Sequence, residues 1–217
     1  MPENKDRLTL TVYVSPETLI ALKEKKYKLC MAVEVNGKST VVFQTVSKLL
    51  IHNEFEFEDR YRVFGTNTFK DGALVEASTR KVPILLGQEI TLSPEGVLGP
   101  ASGTMDSAKP FIVHNHYTEP IHLGIDALFG GEYSSIYVTE EAILRGDIVC
   151  LPARKLLIWF EQNLETNTMI SHARITNCMR LDFSKTSHIT VNYKAPKDAP
   201  ADGIWSYGPL MVHGQTA

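Results

Sequence analysis

The stretch RLTLTVYVSPETLIALKEKKYKLCMAVEV, residues 7–35, decides how the rest of the chain is read. Its first eight letters alternate: Leu8, Leu10, Val12 and Val14 share one face and Thr9, Thr11 and Tyr13 the other, the period of a half-buried strand. Ser15-Pro16-Glu17 then reads as a helix start. A serine hydroxyl takes up an orphan backbone N–H, proline tolerates the first helical position, and a carboxylate suits the positive end of the helix dipole. Leu19, Ile20 and Leu22 give this helix one apolar stripe to about Lys26, and Tyr27 to Val35 returns to strand. Asn36-Gly37 is a strong hairpin signal and feeds a partner strand from Lys38 to Val46.

The unit has an echo. Tyr13-Val14-Ser15-Pro16-Glu17 is matched by Tyr137-Val138-Thr139-Glu140-Glu141, again a strand running into a hydroxyl cap and a carboxylate. Ile143 and Leu144 supply the apolar patch of a second short helix, and Gly146 is placed to end it. Leu29-Cys30-Met31 aligns with Val149-Cys150-Leu151 if that second helix is about one turn shorter. The expectation is a diverged duplication, with halves at 7–92 and 111–194.

Working outward, residues 53–64 alternate, with Phe55, Phe57, Tyr61 and Val63 opposite Glu54, Glu56, Glu58, Arg60 and Arg62: a strand with one wet face. Residues 93–110 carry six glycines and prolines and little periodicity, the natural join between halves. Leu156 to Phe160 is unbroken apolar sequence, as expected of a strand covered on both faces. Ile175 to Phe183 and His188 to Tyr193 complete the strand set. The fold class is therefore mainly β, an antiparallel β-sandwich with two short helices and two pseudo-symmetric halves. Residues 1–6 are expected as a flexible N-terminus, 7–194 as one domain, and 195–217 as a linker and tail bearing Trp205 and Tyr207.

With 217 residues, 43% of them hydrophobic, the chain can bury a sizeable core. A net charge of −3 with scattered Lys and Arg gives no basic field for nucleic acid. The polar N-terminus does not read as a secretory signal, and no stretch approaches the roughly 20 apolar residues of a membrane span. Cys30, Cys150 and Cys178 are an odd, widely spaced set, read as buried reduced thiols in a cytoplasmic protein.

Chemistry is sought first in His114-Asn115-His116-Tyr117-Thr118-Glu119. Residues two apart on a strand point the same way, so His114 and His116 with Glu119 form a candidate metal set with open positions. This His-x-His segment resembles the first metal motif of the cupin family, and Gly146-Asp147 followed by Pro152 resembles the second. The resemblance implies a metal-dependent enzyme, and it departs from the family at Leu157, where the last histidine would stand. His172 and Glu161 are candidates for acid/base work without a cofactor, in an isomerase or cyclase. Tyr117, Tyr133, Trp159, Trp205 and Tyr207 are candidate ligand-binding rings, able to stack on a sugar or an apolar molecule. No Gly-x-Ser-x-Gly elbow, phosphate loop or dinucleotide fingerprint is present.

The leading expectation is a binding protein, lectin-like, for a small-molecule or glycan ligand or a protein partner. It would need no cofactor, bind no nucleic acid, and could self-associate as a homo-oligomer. The alternatives are an enzyme with a pocket between its sheets and a membrane-active β-sandwich toxin.

Overall fold

The computed structural model describes residues 7–172 and 178–210. In chain order they form β1 (Arg7–Val14), α1 (Pro16–Glu24), β2 (Lys28–Val35), β3 (Val41–Val42), β4 (Gln44–Val46), β5 (His52–Thr66), β6 (Val82–Ile84), β7 (Glu89–Leu92), β8 (Phe111–Asn115), β9 (His122–Phe129), β10 (Glu132–Val138), β11 (Gly146–Cys150), β12 (Pro152–Glu161), β13 (Thr168–Met169), β14 (Met179–Asp182), β15 (His188–Lys194) and β16 (Ile204–Tyr207). The expected N-terminus at 1–6, residues 175–177 of one expected strand, and 211–217 of the tail lie outside the described residues.

The protein is mainly β. A seven-stranded sheet runs β10-β9-β5-β1-β15-β16, with β6 also paired to β5; a four-stranded sheet runs β14-β12-β2-β4; a three-stranded sheet runs β11-β8-β7; β13 pairs with β3. Most neighbours are antiparallel, but the purely antiparallel expectation is corrected at two places. β1 pairs with β15 in parallel, Thr9 opposite His188 through Val14 opposite Tyr193, and β7 pairs with β8 in parallel.

The seven- and four-stranded sheets share one apolar cluster: Leu10 and Val12 of β1 and Val63 of β5 belong to it with Leu29 and Met31 of β2 and Ile158 and Phe160 of β12. Each such side chain contributes about 1.5–3 kcal/mol relative to an exposed one. The unbroken apolar run of β12 is explained by what covers its other face. Leu157 and Trp159 pack there with Cys30, Ala32, Leu164 and Ile170 in a second cluster.

Ser15 caps α1 as its letters predict, accepting the Thr18 N–H at 3.4 Å, and Leu19 and Leu22 are buried beneath it. Ile20 is 55% exposed, because the buried stripe runs through Thr18, Leu19, Ala21 and Leu22 and leaves it to one side. The second helix is a correction: α1 is the one helix among the described residues. Between β10 and β11, Ile143 and Ile121 exchange backbone hydrogen bonds at 2.7 and 3.2 Å, which takes the donor and acceptor a helical turn would need. The two echoed strands also end in different surroundings, Val14 in the shared core and Val138 against Val41 and Met169.

The Asn36-Gly37 hairpin forms with φ of 51° and 79°, the left-handed pair that a two-residue turn matching strand twist requires. Its expected partner strand is split at Phe43, since Val41 and Val42 pair with β13 while Gln44 to Val46 pair with β2. Part of the expected tail is an edge strand. β16 pairs with β15, and Trp205 lies parallel to Phe160 with ring centres 5.6 Å apart and tilted against Tyr193.

Candidate functional site

Three consecutive charges, Glu58-Asp59-Arg60, interrupt β5. Against β9 the register slips there, Glu58 facing Leu128 but Tyr61 facing Ala127, so Asp59 and Arg60 bulge out of the ladder. Asp59 is 14% exposed and accepts hydrogen bonds from the Arg154 guanidinium, through Nε at 3.1 Å and through Nη2, and from the Tyr61 hydroxyl at 3.0 Å. Burial, reinforced by the Asp59 charge, holds the Tyr61 phenol protonated well above its ordinary range.

Beside this knot, and lined in part by it, is a half-open recess of about 50 Å³ between the two largest sheets. Leu8, Phe57, Ala127 and Phe129 line it from one sheet, Val33 and Leu156 from the other, and Phe43 and Phe183 line it as well. The rings of Phe43 and Phe57 meet Phe129 at 5.3 and 5.0 Å between centres. A second recess of about 690 Å³, also bordered by the knot, is walled by β6, by Pro100, Ala101, Met105 and Ser107, and by Tyr133. Glu58, Asp59 and Tyr61 line both spaces. Apolar walls with fixed polar groups at one rim suit reversible binding.

The expected metal set is not assembled at one point. His114 lies between two carboxylates, Nδ1 at 2.7 Å from Asp147 and Nε2 at 3.2 Å from Glu89. Their pull, Asp147 first, raises its pKa above 6.5. With one carboxylate on each ring nitrogen, the three groups surround the imidazole rather than a shared point. His116 leaves the strand exposed, with its N–H on the Leu92 carbonyl, and Glu119 is exposed beside Pro120. Among the described residues no three His, Cys, Asp or Glu are grouped to hold a metal ion. The two segments that resemble cupin motifs do sit side by side, Asp147 directly opposite His114, while Leu157 is buried in the second cluster.

His172 Nδ1 accepts the Ser39 N–H at 3.0 Å, so its neutral form carries the proton on Nε2. Glu140 accepts from the His172 backbone N–H and the Ser171 hydroxyl and is paired with Lys38; burial opposes its ionisation, but these donors hold the carboxyl below its ordinary range. Glu161 accepts from Gln162 N–H instead, and no hydrogen bond joins it to His172. Trp159 is 8% exposed in the second cluster, Trp205 is a packing ring, and Tyr117 is half-buried against the core and Gly96. Tyr207 is 65% exposed at the sheet edge. Tyr133 alone of these rings lines the second recess, with the Arg62 guanidinium 4.0 Å from its centre. Burial pushes the Cys30 and Cys150 thiols up to about 12, so neither ionises near neutrality.

Sequence reading missed Asp59, Tyr61 and Arg154 as a group. The signal was present in one place: Asp59 falls on the inward phase set by Phe55, Phe57, Tyr61 and Val63, where a carboxylate needs a buried partner. Among the described residues no helix is long and apolar enough to cross a membrane. Comparison with protein-family models, curated proteins and solved structures returned no match.

Proposed function

We propose that the chain is a non-catalytic binding protein that takes a small apolar molecule, or the apolar end of a larger one, between its two largest sheets. In this reading the seven- and four-stranded sheets act as one sandwich. The observation that carries it is the apolar recess of about 50 Å³ beside the Asp59–Arg154 pair. Water in an apolar recess of this kind finds few hydrogen-bond partners, and an apolar guest that replaces it gains contacts with the lining. On the scale at which a cavity of about 150 Å³ takes benzene, the recess admits about two carbon-sized groups. At about 0.8 kcal/mol per buried methylene that is roughly 1.6 kcal/mol, so the recess alone gives weak binding.

Xenon, a neutral sphere, is a suitable probe. Under xenon pressure the backbone amides of Ala127, Phe129 and Leu156 are expected to shift together and saturate in nuclear magnetic resonance spectra, and Ala127→Leu is expected to abolish the response while keeping the spectrum of a folded protein. Shifts scattered over the surface, or a response that survives Ala127→Leu, would overturn the reading.

A further inference from the structure

We infer that one end of the molecule is a docking surface for an anionic lipid membrane, with Leu50 and Ile51 entering the boundary between headgroups and acyl chains and Lys23, Lys25, Lys26 and Lys48 resting on the headgroups. The inference is independent of the recess. That space is lined by Leu8 at the start of β1, whereas the docking surface lies beyond the other end of the same strand.

Two connections build this end. Residues 15–27, which include α1, carry the chain from β1 in the seven-stranded sheet to β2 in the four-stranded one, and residues 47–51 carry it back from β4 to β5. β1 and β5 are neighbours with Tyr13 opposite His52, and β2 and β4 are neighbours with Leu29 opposite Val46, so the two connections begin and finish side by side. Ile51 accepts the Val14 N–H at 3.0 Å where they meet the larger sheet. The buried Asn53 amide fixes the loop there: its oxygen accepts the Leu50 N–H at 2.9 Å, and its nitrogen donates to the Leu50 and Val12 carbonyls at 2.7 and 3.1 Å. A loop already ordered in this way loses little freedom on docking.

The loop buries Leu49, which is 1% exposed, and turns its next two residues outward: Leu50 is 62% and Ile51 49% exposed. Ile20, on the outer stripe of α1, is 55% exposed. Cations stand around them. Among the described residues the lysines with a carboxylate partner are Lys38, Lys81, Lys109 and Lys155; Lys23, Lys25, Lys26 and Lys48 are exposed and have none. Set against Glu17 and Glu24, those four lysines leave the two connections with two positive charges in excess, in a chain whose net charge is −3. The segment held against Lys25 through the Asp198 carbonyl adds Lys197 and Asp198, which cancel.

This composition selects the partner. Protein interfaces draw on aromatic rings and arginine and are depleted in lysine. Protruding aliphatic side chains among unpaired lysines match a bilayer surface instead, where apolar burial and attraction to anionic headgroups each add to attachment. With three aliphatic side chains and four lysines, the attachment is reversible and falls with salt.

The experiment is co-sedimentation of the full chain with sucrose-loaded vesicles, either of phosphatidylcholine alone or of phosphatidylcholine mixed with phosphatidylserine. Binding to the mixed vesicles is expected to be at least about tenfold tighter than to the neutral ones and to weaken as salt is raised. Lys48→Gln is expected to weaken it about fivefold. Lys185→Gln makes the same change in net charge just before β15, beside the start of β1, and is expected to leave it unchanged. Leu50→Ser, at an exposed position, is expected to weaken it at least about tenfold while the circular-dichroism spectrum stays that of the native protein. Equal binding to the two kinds of vesicle, binding indifferent to Leu50→Ser, or equal losses from Lys48→Gln and Lys185→Gln would overturn the inference. Absence of binding to either vesicle overturns it as well and leaves this end to a protein partner. The xenon response reports on the recess alone and is expected to be the same in all three variants.

Discussion

Asp59 and His114 show how far single residues could be read. Asp59 stands on the apolar phase of its strand, and its half-buried partner Arg154 lies 95 positions away, so the letters flag the need without naming what meets it. His114 was singled out for a metal, yet cross-strand register puts Asp147 on one ring nitrogen and Glu89 on the other. Register depends on which strands pair, and residue spacing does not encode that. The arrangement has a pH signature. Because the folded pKa of His114 lies above 6.5, its protonated form adds stability that is fully present below about pH 6.5 and is lost as pH rises through the folded value. The melting-temperature difference between the native protein and His114→Gln is expected to be largest near about pH 6 and to narrow toward about pH 8.5. A difference that stays flat across that range would show that the imidazole charge does not serve the fold.

Among the elements, those with local punctuation were legible: β1 by its alternation, α1 by its serine cap, and the first hairpin by Asn36-Gly37. The split at Phe43 was hidden, because β3 takes its partner from Thr168 and Met169, whose letters give no strand signal of their own. The second helix was misread because Ile143 is claimed by a bridge to Ile121 that lies outside the local window. The hairpin tip also does something no turn rule contains. The Asn36 amide donates to the Val149 carbonyl at 2.7 Å and accepts the Leu151 N–H at 2.9 Å, tying the tip of the four-stranded sheet to the end of β11 in the three-stranded one. Asn36→Gly keeps the left-handed turn and removes both bonds, at an expected loss of about 1 kcal/mol for these exposed contacts. Asn36→Ala adds the penalty of a β-carbon at φ 51°, about 1 kcal/mol more. Urea midpoints of the two variants measure the steps, and an Asn36→Gly midpoint equal to that of the native protein would mean that the side chain ties nothing.

For the molecule as a whole, composition and the run of strand letters were enough for a β-rich fold with a large core, but not for its closure. Leu8, Leu10, Val12 and Val14 fit a parallel or an antiparallel neighbour equally well, and the neighbour chosen, β15, comes from the far end of the chain. Trp159 and Trp205, the two tryptophans, sit on opposite faces of the four-stranded sheet, one in the second cluster and one against the shared core. If the shared core makes one cooperative unit, Trp159→Phe and Trp205→Phe variants, each reporting from the ring that remains, should show coincident urea transitions once corrected for their own stabilities against a circular-dichroism signal. Separated transitions within one variant, ring against backbone, would divide the molecule into independently melting parts. The parallel pairing of β1 with β15 also sets a timetable. On a ribosome adding about 5–20 residues each second, the opening strand emerges roughly 9–35 s before the strand that will lie along its second edge. Throughout that interval β1 can pair with β5 alone and offers bare amides and carbonyls to passing chains, so the nascent protein is expected to lean on chaperones until its closing strand arrives.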